Sequence, residues 1–303
     1  MAVQPEATRA VAAPLLLDER AVRRERRKER LFTASVYAFL TVTALPLLVG
    51  YGWLVLNSFS RKVSYGVIPE GFTLQNWRFL VNPPSPYYPP LWPTTWNTLW
   101  LALGMTAVMV AVATPTAYVI SRFHFPARNL FLALTLILHA FPGITLLIAL
   151  YYVLRTLGLL NHIAGVFLVK AGLMLPLGIW VMKGFFDAIP WDIEMSGLVD
   201  GASRMQVLVR ILLPMVKPGI AAISIFSFLF GWSEYIYVIT FIHDKRAWTL
   251  ASYINSLIGD FMFVDYGLLA ATGLFYVAPV LVFFLFTQKY LMSVTVGGAK
   301  GGA

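Results

Sequence analysis

Cysteine is absent from the 303 residues, which excludes a disulfide framework, a thiolate nucleophile and a cysteine-held iron–sulfur cluster. Charge is scarce as well. Asp, Glu, Lys and Arg make up 12% of the chain against 59% hydrophobic residues, and the mean hydropathy is +0.74. Soluble domains carry about a quarter charged residues, so this chain is built to sit mostly in lipid. There are four histidines, His124, His139, His162 and His243, with no His-x-x-x-His pair and no carboxylate placed beside them for zinc. No G-x-x-x-x-G-K-[ST] loop is present to cradle ATP phosphates, and no G-x-S-x-G elbow. An enzyme acting alone is therefore excluded, and no metal site is expected. The 14 acidic residues are outnumbered by 23 Lys and Arg, leaving a net charge of +9. This excess does not read as a nucleic-acid face: its densest run, Arg20 to Arg30, abuts an apolar stretch, and no basic surface with interleaved aromatics is visible.

What the chain has in quantity is long apolar runs. About 20 such residues cross a bilayer core, and six stretches qualify: Leu31–Leu56, Thr98–Ile120, Leu130–Leu154, Ile163–Met182, Gly219–Phe241 and Tyr266–Phe286. The first is too long for a signal peptide, and no small-x-small cleavage site closes it. The expected fold class is an all-α integral membrane protein with six transmembrane helices. Residues 1–30 form a basic N-terminal tail whose last part suits a membrane surface, 31–288 the spanning domain, and 289–303 a C-terminal tail. One set of loops holds the Arg20–Arg30 cluster, Arg122, Arg128, the Lys and Arg between Lys183 and Lys217, Lys289 and Lys300. The opposite set holds Arg61, Lys62, Arg78, Arg155, Lys245 and Arg246, fewer than half as many. The positive-inside rule then puts both termini, and the 187–218 loop, in the cytoplasm.

Five spans contain an internal proline: Pro46, Pro115, Pro142, Pro176 and Pro279. Either these are ordinary membrane-helix prolines, or they are kinks around a cavity that opens to alternate sides. The outer segment Ser60–Asn97 is rich in Pro, Tyr and Trp, and its prolines are expected to prevent regular structure. Three ionisable groups fall inside spans, where insertion costs ~2.5–3.5 kcal/mol each: His139, Lys170 and Glu234. His139 suits a satisfied core position. Lys170 and Glu234 lie at equal depth, roughly 10 Å from the outer end at 1.5 Å per residue. They can pair with each other, or line a transport path, and Lys170 can also snorkel outward. Trp232 can stack on a sugar ring or simply anchor at the interface.

The most informative stretch is Pro190–Pro218, PWDIEMSGLVDGASRMQVLVRILLPMVKP. Pro190 suits a first helical position, Asp192 and Glu194 complement the N-terminal dipole, and Gly201 can adopt the left-handed conformation that ends a helix. Ser203 and Gln206 form a capping box that starts a second helix through Val207, Leu208, Ile211 and Leu212, interrupted at Pro214 and Pro218. Small residues, Asp200-Gly-Ala202, a spacer to Arg210 and then Ile211-Leu-Leu213-Pro214 resemble the EAA loop of bacterial ABC-importer permeases. The chain as a whole resembles the carbohydrate-importer permeases of maltose type. Ala117 to Arg122, Phe141-Pro-Gly143, Trp232-Ser-Glu234 and the tail from Gly297 to Gly301 carry the same resemblance.

The resemblance implies a type I ABC-importer permease in the inner membrane of a prokaryote. It would bind no cofactor itself, with ATP and Mg held by partner ATPase subunits. Its implied partners are a second, different permease, two ATPase subunits and an extracytoplasmic substrate-binding protein. Glu194, Met195, Ser196, Gly197, Asp200, Gly201, Ala202, Leu213 and Pro214 would form the ATPase-coupling loop. One departure stands out: the motif's own glutamate falls on Met195, with Ser196 and Gly197 in its two alanine places, and Glu194 comes one residue early. Glu234, Trp232 and Lys170 are candidates for the substrate path, and Tyr253 and Asn255 for contact with the binding protein. Lys300 would reach between the ATPases. Glycerol phosphate or a polyol remains an alternative cargo. An ion-driven secondary transporter is the rival mechanism, and it would need intramembrane carboxylates of which Glu234 is a lone candidate.

Overall fold

The computed structural model describes residues 19–64, 68–84, 86–258 and 264–299. Helix α1 (Glu19–Ser58) begins inside the basic run and continues without a break through the first apolar stretch. The basic residues therefore extend the span itself and do not form a separate surface helix. A hairpin follows, of β1 (Ser60–Ser64) and β2 (Ile68–Phe72), and then a 3₁₀ turn over Gln75–Leu80. The membrane domain comprises α2 (Leu91–Arg122), α3 (Arg128–Ala140), α4 (Leu147–Thr156), α5 (Ile163–Asp187), α6 (Trp191–Val199), α7 (Arg204–Val207), a π turn (Leu208–Leu212), α8 (Leu213–Met215), α9 (Lys217–Trp232), α10 (Ile236–Phe241), α11 (Leu250–Leu257) and α12 (Tyr266–Ala299).

The hairpin corrects the expectation of an irregular outer segment. Most of its prolines fall between Asn82 and Leu91; the one inside the hairpin, Pro69 opposite Val63, is accommodated because a two-stranded ladder consists of edge strands only. Lys62 faces Glu70 across the antiparallel ladder, an opposite-charge pairing that favours this register. Asn76 Nδ2 donates to the carbonyls of Ser58 (3.1 Å) and Ser60 (2.8 Å), tying the 3₁₀ turn to the hairpin.

Among the described residues, four helices are long and apolar enough to cross a membrane by themselves: Arg24–Ser58 within α1, α2, α5 and Tyr266–Thr287 within α12. The count reaches six only if two bent pairs are each one span. In one, the Leu130–Leu154 stretch turns through 89° between α3 and the segment from Gly143. Pro142 lies in that break; it supplies no N–H, and the residue before it is driven to extended backbone (Phe141 ψ 129°). The other is bent by 72° between Met215 and Lys217, ahead of Pro218. Pro46, Pro115, Pro176 and Pro279 sit inside continuous helices.

Helix α2 is the hub, packed most extensively against α5 and α9. Small residues permit the close crossing: a Cβ on Gly231 of α9 would lie 2.7 Å from the Ala102 Cα, the kind of approach that substitutes for a hydrophobic driving force in lipid. One apolar cluster, with Met109, Ala113, Ala117, Met182, Phe186, Val207 and Leu212, joins the C-terminal halves of α2 and α5 to the α6–α8 elbow. A second, around Phe228, Trp232 and Ala271, joins α2, α9 and α12. The connection between α10 and α11 is held to α2 by polar contacts. Asn97 Nδ2 donates to the carbonyls of Arg246 and Trp248 (2.9 and 3.0 Å), and the Leu250 N–H donates to Thr98 Oγ1 at 2.7 Å.

Candidate functional site: the inner elbow and the intramembrane ion pair

The elbow forms as its residue types dictate. Pro190 is the N-cap of α6, with extended backbone (ψ 142°), one position earlier than expected. Helix α6 closes in a Schellman motif: Gly201 N–H donates to the Leu198 carbonyl, and Ala202 N–H to the Gly197 carbonyl, both at 3.1 Å. Gly201 is left-handed, with φ +88°. The capping box is complete, with Gln206 N–H donating to Ser203 Oγ (3.3 Å) and Ser203 N–H to Gln206 Oε1 (2.7 Å). The helix that follows is not regular, however. Pro214 has no N–H to give, and the ladder adjusts through the π turn Leu208–Leu212, where Leu213 N–H reaches back five residues to the Leu208 carbonyl.

The nine proposed coupling residues differ in exposure: five are exposed, two half-buried and two buried. Met195 (39% exposed), Ser196, Asp200, Gly201 and Pro214 lie on the outside of the elbow, with Val199 at the bend the most exposed of its large apolar side chains (86%). Gly197 is buried, because a Cβ there would lie 2.8 Å from Ile211 Cδ1; its role is to let the two arms close. Ala202 and Leu213 are half-buried. Glu194 departs from the expectation altogether. It is fully buried, with Arg122 Nε 3.1 Å from its Oε2 and the Tyr118 hydroxyl donating to its Oε1 at 3.0 Å. The i+1 offset from Met195 turns Glu194 about 100° around the helix, away from the outer face and into the membrane domain, so it offers nothing to a partner docked outside.

The second constellation lies where the two interrupted apolar stretches meet. Lys170 Nζ is 2.6 Å from Glu234 Oε2 and 4.9 Å from the centre of the Tyr237 ring. Glu234 sits in the break between α9 and α10, and its Oε1 accepts the Tyr237 N–H at 2.9 Å. The Tyr237 hydroxyl covers Gly143 at the other break: a Cβ on Gly143 would be 2.5 Å from it. Lys170 and Glu234 thus form the mutual ion pair that the sequence allowed. Lys170 does not reach the outer surface alone.

Two further candidates are placed otherwise. Trp232 is buried, stacked on Phe228 (5.7 Å between centroids) with its Nε1 donating to the Tyr276 carbonyl; no face is left for a sugar. Tyr253 is fully buried against Tyr88, and burial pushes its hydroxyl up to about 12. It is a neutral core residue, not a contact for another protein. Asn255 is exposed, and its Oδ1 accepts the Tyr235 hydroxyl at 2.6 Å. His139 was expected in the core but is exposed on α3. Lys300 lies outside the described residues. Among the described residues no three His, Asp or Glu converge as metal ligands. Arg122, Tyr118, Tyr237 and Gly143 are participants that no sequence feature marked individually; Tyr118, Arg122 and Gly143 sit in motifs that carried the resemblance, while Tyr237 gave no signal of its own.

Residues 107–292 match the family described as binding-protein-dependent transport system inner membrane component. The chain belongs to this family. As a permease component it is not catalytic, and ATP hydrolysis is carried by a separate subunit. It is 34% identical over 189 residues to the galactooligosaccharides transport system permease protein GanQ of Bacillus subtilis, covering 62% of this chain and 67% of that one. It is 28% identical over 275 residues to the diacetylchitobiose uptake system permease protein NgcG of Streptomyces coelicolor, covering 89% of each. In fold the permease is similar to a chain of a bacterial ABC transporter involved in import of the acidic polysaccharide alginate. The TM-score is 0.73 at 20% identity, over 87% of this chain and 98% of that one.

Proposed function

We propose that the chain is one of two non-identical permease subunits of an ATP-driven carbohydrate importer in the inner membrane of a prokaryote, with both termini and the elbow in the cytoplasm. A sugar cargo is supported by relatives named for galactooligosaccharides, diacetylchitobiose and trehalose uptake. The observation that carries the mechanism is the elbow: two capped arms meet at an exposed bend formed by Val199, Asp200 and Gly201, rigid enough to be gripped by a separate ATPase. Closure of two ATPase subunits would move the elbow and with it the inner halves of α2 and α5, to which one apolar cluster joins it. A packed interface of this kind switches between arrangements and does not bend gradually. A substrate-binding protein would deliver the sugar from outside, with Asn255 on the exposed side of α11 as one contact.

The ion-driven rival needs a titrating carboxylate in the membrane. Glu234 is committed to Lys170 and to the α10 amide, which counts against a relay role. Purification of the tagged chain with the products of neighbouring genes is the test. Co-purification of an ATPase that is lost when Asp200, Gly201 and Ala202 are replaced supports the reading; uptake that persists with no ATPase present overturns it.

A further inference from the structure

The inner end of α2 is joined to the elbow by a buried polar cluster. Arg122 is 5% exposed and Glu194 not at all. Besides its 3.1 Å approach to Glu194, Arg122 donates through Nη2 to the carbonyls of Phe186 (2.9 Å) and Ile189 (2.8 Å), the last turn of α5 and the link to α6. Its guanidinium lies 5.2 Å from the centre of the Trp191 ring, at the start of α6. One side chain on α2 thus holds the end of α5, the link and the first turn of the elbow. The contact to Glu194 is held by charge and not by a directed bond: Arg122 Nε and Glu194 Oε2 are both buried without an aligned hydrogen bond. Two opposite charges so deeply desolvated stay together, because separating them would leave each uncompensated.

The covalent route from the elbow onward to α9 is of a different kind. It runs through the π turn Leu208–Leu212 and the 72° bend at Val216, features that mark hinges and not stiff connections. We propose that the Arg122–Glu194 pair is a positioning latch: it makes α6 and the inner end of α2 one rigid unit, so that displacement of the elbow is delivered directly to α2, the hub of the membrane domain, while the π turn and the bend absorb the change on the α9 side. This inference rests on the reading of the elbow as the ATPase dock, and it gives Glu194 a role in place of the external contact that its position beside Met195 suggested.

The test uses spin labels, which the absence of native cysteine makes simple. Val119→Cys on α2 and Asp192→Cys on α6 replace exposed residues away from the bend, and the label–label distance is measured in the complete complex, nucleotide-free and trapped with ATP and vanadate. The latch requires one narrow distance that is unchanged by nucleotide. In Glu194→Gln, which removes the charge but not the bulk, and in which Arg122 keeps its two carbonyls, the distribution broadens and shifts on trapping while the ATPase still hydrolyses ATP. Should that variant fail to assemble, Tyr118→Phe, which removes one hydrogen bond to Glu194, is expected to broaden the distribution to a smaller extent. A wild-type distance that shifts with nucleotide overturns the latch, as does a Glu194→Gln, or in its place a Tyr118→Phe, distribution as narrow as the wild type. If no ATPase accompanies the permease, the docking reading fails instead, and the width measured in the chain alone still reports on the latch.

Discussion

Lys170 of α5 and Glu234 at the α9–α10 break meet at 2.6 Å, with Tyr237 lying over the lysine and donating its amide to the same carboxylate. The pair fixes a point where one apolar stretch is interrupted against a continuous helix. Removing one member of a buried ion pair costs about 3–5 kcal/mol, reduced here because the Lys170 side chain retains 18% of its exposure. Glu234→Ala is expected to lower the thermal midpoint of the detergent-solubilised complex markedly, and Lys170→Met combined with Glu234→Gln to recover part of the loss. Equal midpoints for the single and double variants would mean that the two residues do not interact.

Glu234→Gln keeps the shape of the side chain and one oxygen to accept the Tyr237 amide. It is expected to lower uptake while leaving the permease assembled with its partners, as read by co-purification. Loss of assembly would show that the charge itself holds the fold.

Gly143 and Tyr237 offer a second paired test. Gly143→Ala places a methyl group 2.5 Å from the tyrosine hydroxyl, and overpacking of this kind costs about 1–3 kcal/mol. Tyr237→Phe removes the offending oxygen and leaves the ring carbon at 3.8 Å. The double variant should regain most of the thermal stability lost in Gly143→Ala; no recovery would place the crowding elsewhere, with Leu173 Cδ1 at 3.2 Å the next contact.

At the elbow the strain is conformational. Gly201 has φ +88° and nothing within 4 Å of the position a Cβ would take, so Gly201→Ala costs only its left-handed backbone, about 1–2 kcal/mol. The expected result is a modest fall in thermal midpoint, together with a loss of ATPase co-purification larger than that fall explains. Gly201→Asn, which tolerates this conformation better, should lie between the two.

Much of this was legible in the sequence. The capping box at Ser203 and the glycine stop at Gly201 are local chemistry, and local chemistry survives folding. The apolar stretches were located, but not their breaks: Pro142 marks a kink in either case, and only packing of Gly143 under Tyr237 shows that the chain turns through 89° there. Burial was the least readable property. Trp232, Tyr253 and Glu194 look available in a sequence because exposure depends on neighbours far along the chain, such as Tyr276, Tyr88 and Arg122. The hairpin was hidden by the composition of its segment, which is crowded with prolines beyond Asn82 and carries one, Pro69, within the second strand.

The most direct measurement of the central claim is site-specific cross-linking from the bend. The chain has no cysteine of its own, so Val199→Cys supplies a unique thiol on a side chain that is 86% exposed. In native membranes, a short bifunctional maleimide should join this position to a nucleotide-hydrolysing subunit, with a yield that changes when ATP and vanadate are added. A thiol that reacts freely with a soluble maleimide yet never links to an ATPase would contradict the account.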